Sequence, residues 1–164
     1  SDSSDKFIHV EEKVGNNDDP IRLYLKEIGK VNLLTHDDEG DFYTARVALE
    51  NLICRANSRA IIVDAYVSAI TLDILDSRGS GVEGIIYTKG VGEGMTRLMS
   101  EHDRLFPNSH IDIRKWRKES HDRWLIVDDQ LYHCEHSLNA NGGHKISAIT
   151  LMGTSPEVIL AEME

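Results

Sequence analysis

The 164-residue chain is 40% hydrophobic and 28% charged, which is enough for one domain with a real core and too short for two large ones. Its 18 Lys and Arg against 28 Asp and Glu leave a formal charge of -10, which argues against non-specific coating of nucleic acid, because that affinity comes from neutralising phosphates with cations. No apolar run approaches the roughly 20 residues of a membrane span, and the polar, acidic start SDSSDKF is unlike a signal peptide.

Residues 1 to 18 are acidic and turn-rich, and GNNDD offers a loop or linker. In DDPIRLYLKEIGKVNLL, Asp19 is placed to cap a helix with Pro20 in its first turn. Ile21, Tyr24, Leu25 and Ile28 then recur on one face, and Gly29 can close it. Thr35 and Asp38 form a capping-box-like start to a second helix whose apolar face is Phe42, Ala45, Leu49, Leu52, Ile53 and Ala56.

From Asn57 the texture becomes α/β. Ala60 to Val63 reads as a strand buried on both sides, Val67 to Leu75 as a helix, Val82 to Thr88 as a strand after the turn RGSG, and Met95 to Phe106 as a helix. Strands follow at His110 to Ile113, Trp124 to Val127, Leu131 to Cys134 and Ile146 to Leu151. A tight Asp128-Asp129-Gln130 link joins two of them, and a last helix starts around Ser155-Pro156. The expected fold class is α/β, a mixed β-sheet flanked by helices on both faces and preceded by a short helical segment. The expected division is a helical segment with its acidic linker at 1 to 40 and an α/β domain at 41 to 164.

Chemistry concentrates in HDRWLIVDD, where His121, Arg123 and Asp128 take the form H-x-R-x-x-x-x-D. On an extended strand residues two apart share a face, so His121 and Arg123 are expected to point the same way, as two groups meeting one phosphate require. A histidine nitrogen can attack phosphorus, a cation can stabilise the anionic oxygens, and a carboxylate can orient the imidazole. The plain alternative is a strand with charged ends. The dense basic run Arg114, Lys115, Trp116, Arg117, Lys118 lies just upstream, and it reads either as a solvated loop or as a nucleic-acid contact. His133, His136 and His144 lack a partnering carboxylate at metal-ligand spacing and read as surface or strand-end residues. The lone Cys54 and Cys134 indicate neither a disulfide framework nor a zinc site, and a reducing, cytoplasmic compartment is expected.

SRAIIVDAY (Ser58 to Tyr66), HDRWLIVDD, and Tyr132-His133 followed by Ser137-Leu138 together resemble a phospholipase D-like domain over about residues 57 to 152. In that superfamily a strand ending in Asp-x-Tyr leads, and H-x-K-x-x-x-x-D, sometimes with Arg for Lys, is followed by a hairpin strand and a phosphate-facing turn. The resemblance implies His121 as nucleophile or proton donor, Arg123 as the phosphate-binding cation, Asp128 as the motif aspartate and Ser137 as a phosphate hydrogen-bond donor. No cofactor or metal is implied. Three departures stand out: Arg replaces a compact ammonium with a planar fork, Glu135 stands before the serine, and the chain has one motif where the family's catalysis uses two. A single motif implies either a homodimer that joins two half-sites as a phosphodiesterase or nuclease working through a phosphohistidine, or a site that only binds phosphodiesters.

Asp18 to Glu39 is similar to region 1.2 of primary bacterial sigma factors in its D-P-x-R-x-Y-L-x-E-I-G core and L-L-T continuation. That resemblance implies core RNA polymerase as a partner and a place in transcription, although no later sigma region follows. The expected reading is a phosphodiester-binding module facing nucleic acid, with the dimeric phosphodiesterase as its alternative.

Overall fold

The structure is a computed structural model that describes residues 9–10, 30–32, 42–135 and 149–164; for 9–10, 30–32 and 42–45 the description is of the backbone alone. Six strands form the body of a mixed sheet: β3 (Arg59–Val63), β4 (Glu83–Thr88), β5 (Ile111–Lys115), β6 (Arg123–Val127), β7 (Gln130–Cys134) and β8 (Ile149–Met152). Two short strands, β1 (His9–Val10) and β2 (Lys30–Asn32), extend its edge, giving the order β1-β2-β8-β7-β6-β3-β4-β5. The helices are α1 (Phe42–Cys54), α2 (Ala69–Leu75), α3 (Glu93–Leu105) and α4 (Glu157–Met163).

The sheet is mixed because its two halves are connected differently. β3, β4 and β5 run parallel, joined through α2 and α3, whereas β6, β7 and β8 are antiparallel neighbours. Antiparallel pairing of β6 with β3 joins the halves, with Val63 opposite Trp124. Crossovers of one hand place successive helices on one face of the parallel half. Accordingly Leu49 and Ile53 of α1 and Leu72, Ile74 and Leu75 of α2 pack on Ala60, Ile62, Ile86, Leu125 and Val127. The other face is covered by α4, whose Ile159, Leu160 and Met163 meet Ile61, Val63, Tyr87, Trp124 and Ile126. Both faces of β3 and β6 are therefore dry, which is why RAIIV and RWLIV read as apolar runs instead of alternating patterns.

The expected strands and helices between residues 59 and 135 all form, within a residue or two of their sequence bounds. The helix expected over Ile21 to Ile28 lies outside the described residues, as do His136, Ser137 and His144. Segment 1–40 holds two strands that sequence analysis did not anticipate. β2 pairs with β8, Val31 opposite Leu151, so residues assigned to a separate helical piece complete the edge of the α/β sheet. No described helix is long and apolar enough to cross a membrane.

Candidate phosphodiester site

One end of the sheet collects the residues of interest. The carboxyl ends of β3 and β4 deliver Asp64, Tyr66 and Lys89, while the antiparallel β6 delivers His121 and Arg123 from its amino end. Ligands of open α/β sheets gather at the carboxyl ends of the parallel strands, where connections diverge, and here β3 is the strand at which the two halves of the sheet meet.

Asp64 is completely buried, and its Oδ1 accepts the backbone N–H of Tyr66 at 2.9 Å, which fixes the turn leaving β3. Arg123 lies beside it, with Nε 3.9 Å from Asp64 Oδ1. That distance serves charge attraction but is too long for a hydrogen bond, and the Nε–H is shielded from solvent without an acceptor. Arg123 Nη1 donates to the His121 carbonyl at 2.9 Å, and Ser120 Oγ donates to the Asp122 carbonyl at 3.0 Å. The segment carrying His121 is thus pinned by its backbone, while the residue itself is exposed. Cys134, opposite Arg123 on β7, is buried, and burial followed by the Asp64 charge pushes its thiol pKa well above the ordinary value. This thiol is a packing group and not a nucleophile.

Tyr66 is half exposed, and its ring has Lys89 Nζ 5.1 Å and Arg123 Cζ 5.8 Å from its centroid. On the other face of the sheet His133 Nε2 meets Asp122 Oδ1 at 3.0 Å and its ring stands edge-on to Trp124 at 4.8 Å. The expectation of a surface or strand-end His133 is corrected: it is a buried, carboxylate-paired side chain under the segment that carries His121.

Two further expectations are corrected by the geometry. β6 begins at Arg123, so His121 lies in a bend before the strand, and the two residues are tied through a main-chain carbonyl instead of a shared strand face. Asp128 stands at the opposite end of β6 and orients no imidazole. Its Oδ1 accepts from the backbone N–H groups of Asn57, Ser58 and Arg59 at 2.7 to 3.1 Å and from Ser58 Oγ at 2.9 Å. These bonds hold its carboxyl well below the usual carboxylate range and clamp the α1–β3 connection.

The basic run is also placed differently from a free loop. Arg114 and Lys115 end β5, and Arg114 bonds Asp112 at 2.8 Å and the Tyr87 hydroxyl at 3.0 Å. Arg117 Nη2 donates to the Ala161 carbonyl at 3.1 Å, and Lys118 pairs with Glu162 at 3.2 Å. Much of this positive charge is spent on the carboxyl end of α4, which leaves Lys115, Lys89 and Arg123 as the more available cations of this edge. Sequence analysis passed over Lys89; its signal was a Lys-Gly-Val-Gly turn directly after an apolar strand.

Among the described residues no group of three or more His, Cys, Asp or Glu is arranged to hold a metal. A concavity of about 400 Å³ lies at the opposite end of the sheet between residues 78–82 and 105–109. The one guanidinium there is occupied: Arg78 donates to the carbonyls of Val82, Leu75 and His110.

Residues 19–42 match the family model for sigma-70 factor, region 1.2. Among solved structures, that of TrmBL2, described as an archaeal chromatin protein with a novel mode of DNA binding, is similar at 14% identity and a TM-score of 0.45. The similarity covers 73% of this chain and 44% of that one, so this chain spans less than half of its length.

Proposed function

We propose that the chain is a phospholipase D-like phosphodiester-binding module that faces nucleic acid and is linked to the transcription machinery through its sigma-like segment. The observation that carries this is Arg123: a guanidinium beside the buried Asp64 charge whose Nη1 bonds the His121 carbonyl and whose side chain is 24% exposed at this end of the sheet. A phosphate oxygen is the acceptor that the open part of a guanidinium fork suits. Lys89 and Lys115 would add the flanking charge, and Ser137 a hydroxyl donor. The sigma region 1.2 match supports the transcription link, with core RNA polymerase as the proposed partner.

Arg123→Ala should weaken binding of a fluorescently labelled oligonucleotide about tenfold or more in an anisotropy titration, the order expected for losing one charge-assisted contact. Unchanged affinity would remove the assignment.

The exposure of His121 on a pinned backbone favours a second reading, a metal-independent phosphodiesterase in which two copies meet across a two-fold axis and supply one histidine each. Under that reading His121→Ala abolishes hydrolysis of a phosphodiester reporter while leaving oligonucleotide affinity near wild type. A wild-type rate in that variant would contradict it.

A further inference from the structure

β5 is the last strand in the sheet order, with β4 on one side of it and no strand on the other. Just past its end, the Trp116 N–H donates to the Thr88 carbonyl of β4 at 2.9 Å. Main-chain groups alternate in direction along a strand, so Asp112 and Arg114 also turn theirs toward β4, while Ile111, Ile113 and Lys115 turn theirs to the open edge. Among the described residues, no main-chain bond from outside the β4–β5 pairing reaches those three. Such a row of donors and acceptors is a template for a further strand.

The sequence of β5, Ile111-Asp112-Ile113-Arg114-Lys115, selects which strand fits. Outward residues must face outward residues, so an antiparallel copy of β5 can meet it about a two-fold axis at residue 112, 113 or 114. An axis at Asp112 sets two carboxylates opposite one another, and an axis at Arg114 does the same with two guanidinium groups; like charges directly opposed are unfavourable. An axis at Ile113 instead sets each Asp112 opposite Arg114 of the second copy. In that register Ile113 faces Ile113, and Ile111 faces Lys115, each pair exchanging both of its main-chain bonds. The Asp112–Arg114 pairs then fall at the positions where antiparallel side chains approach most closely. Within one chain Arg114 Nε already meets Asp112 Oδ2 at 2.8 Å, with the two side chains 41% and 48% exposed, so the pairing closes a ring of two carboxylates and two guanidinium groups about the axis.

We propose that β5 is the contact surface for a second copy of this chain, paired antiparallel about an axis at Ile113, so that two sheets continue as one. The inference does not rest on the phosphate reading of Arg123. It also differs from the dimer that the phosphodiesterase reading requires. Antiparallel pairing sends the Arg123 edges of the two copies to opposite ends of the joined sheet, and β6 stands three strands in from β5, so the two His121 residues are held apart.

Sedimentation equilibrium of the full chain at roughly 0.1 mM, a concentration that populates any dimer with a micromolar Kd, should give twice the 18.5 kDa of one chain. Asp112→Arg opposes guanidinium groups across the axis, and Arg114→Asp opposes carboxylates, so each variant alone should sediment as a monomer. An equimolar mixture of the two restores every pair and should recover the dimer mass, which also shows that both variants fold. A wild-type chain that remains monomeric, or single variants that dimerise as wild type does, would overturn the proposal. Variants that stay monomeric when mixed would overturn it too, because their defect then lies in the monomer and not in opposed charges.

Discussion

Single residues in this protein do work that depends on which end of a strand they occupy. Arg123 and Asp128 belong to one eight-residue sequence motif, yet one lies at the proposed site and the other at the far end of β6. Asp128 adopts a left-handed backbone, φ 53°, in the two-residue β6–β7 connection, a conformation that Asp and Asn tolerate better than most residues. Its carboxylate accepts bonds from residues 69 to 71 positions away, which fastens the start of β3 to the β6–β7 turn. Because the folded state depresses its pKa, the unfolded chain takes up the proton more readily, and protonation favours unfolding. The stabilisation is fully present above the unfolded carboxylate value of about 3.9 and is lost as pH falls further. Asp128→Asn keeps the turn geometry and should cost about 1–2 kcal/mol at pH 7 by urea denaturation, the lower end for charged bonds because this carboxylate is solvent-screened. The gap between variant and wild type should narrow below pH 4; a gap that stays constant with pH would assign the loss to packing.

Arg78 shows how an element is fixed from outside itself. Its guanidinium reaches from the end of α2 to the carbonyls of Val82 and His110, so it ties the start of β4 to the approach to β5. Burial lowers its pKa while Asp76 offsets this, which is the balance expected of a structural cation. The guanidinium lies so close over Gly84 that a Cβ there would meet its Cζ at 2.7 Å. Gly84→Ala should therefore destabilise by about 1–3 kcal/mol through displacement of Arg78, measured as a fall in the urea midpoint with an unchanged m-value. A neutral substitution would show that Arg78 moves aside freely.

At the same scale it becomes clear what the sequence could reveal. β3, β4, β6 and β7 are buried on both faces, and their apolar runs between turn residues are visible without any partner. β1 and β2 are two and three residues long and exist only by pairing at an edge, so no local pattern announces them. The motif residues were legible as a group, but Asp128 finds its partners through tertiary contacts, and the strand boundary that removes His121 from the face of Arg123 is a matter of two residues. The occupied state of Arg117 and Lys118 was hidden for the same reason: their acceptors lie on α4, more than forty residues further on, while Arg114 turns to Asp112 on its own strand and to the Tyr87 hydroxyl on β4.

For the molecule as a whole, the proposed site and the sigma-like segment make separable claims. Full-length protein should capture core RNA polymerase in a pull-down, and joint replacement of Arg22, Tyr24 and Leu25 by Ala should abolish capture while oligonucleotide affinity is kept. Capture unaffected by those replacements would leave the match over residues 19–42 without a role in polymerase binding. The chain carries a formal charge of -10 while this edge of the sheet presents Lys89, Lys115 and Arg123, so a net-charge argument alone would have missed it.

The central claim is that Arg123 neutralises a phosphate. The most direct test is the salt dependence of oligonucleotide affinity in wild type and in Arg123→Ala. Loss of one phosphate contact should make the slope of log K against log salt shallower by about one, with weaker binding at low salt. An identical slope and affinity in the two proteins would contradict the account.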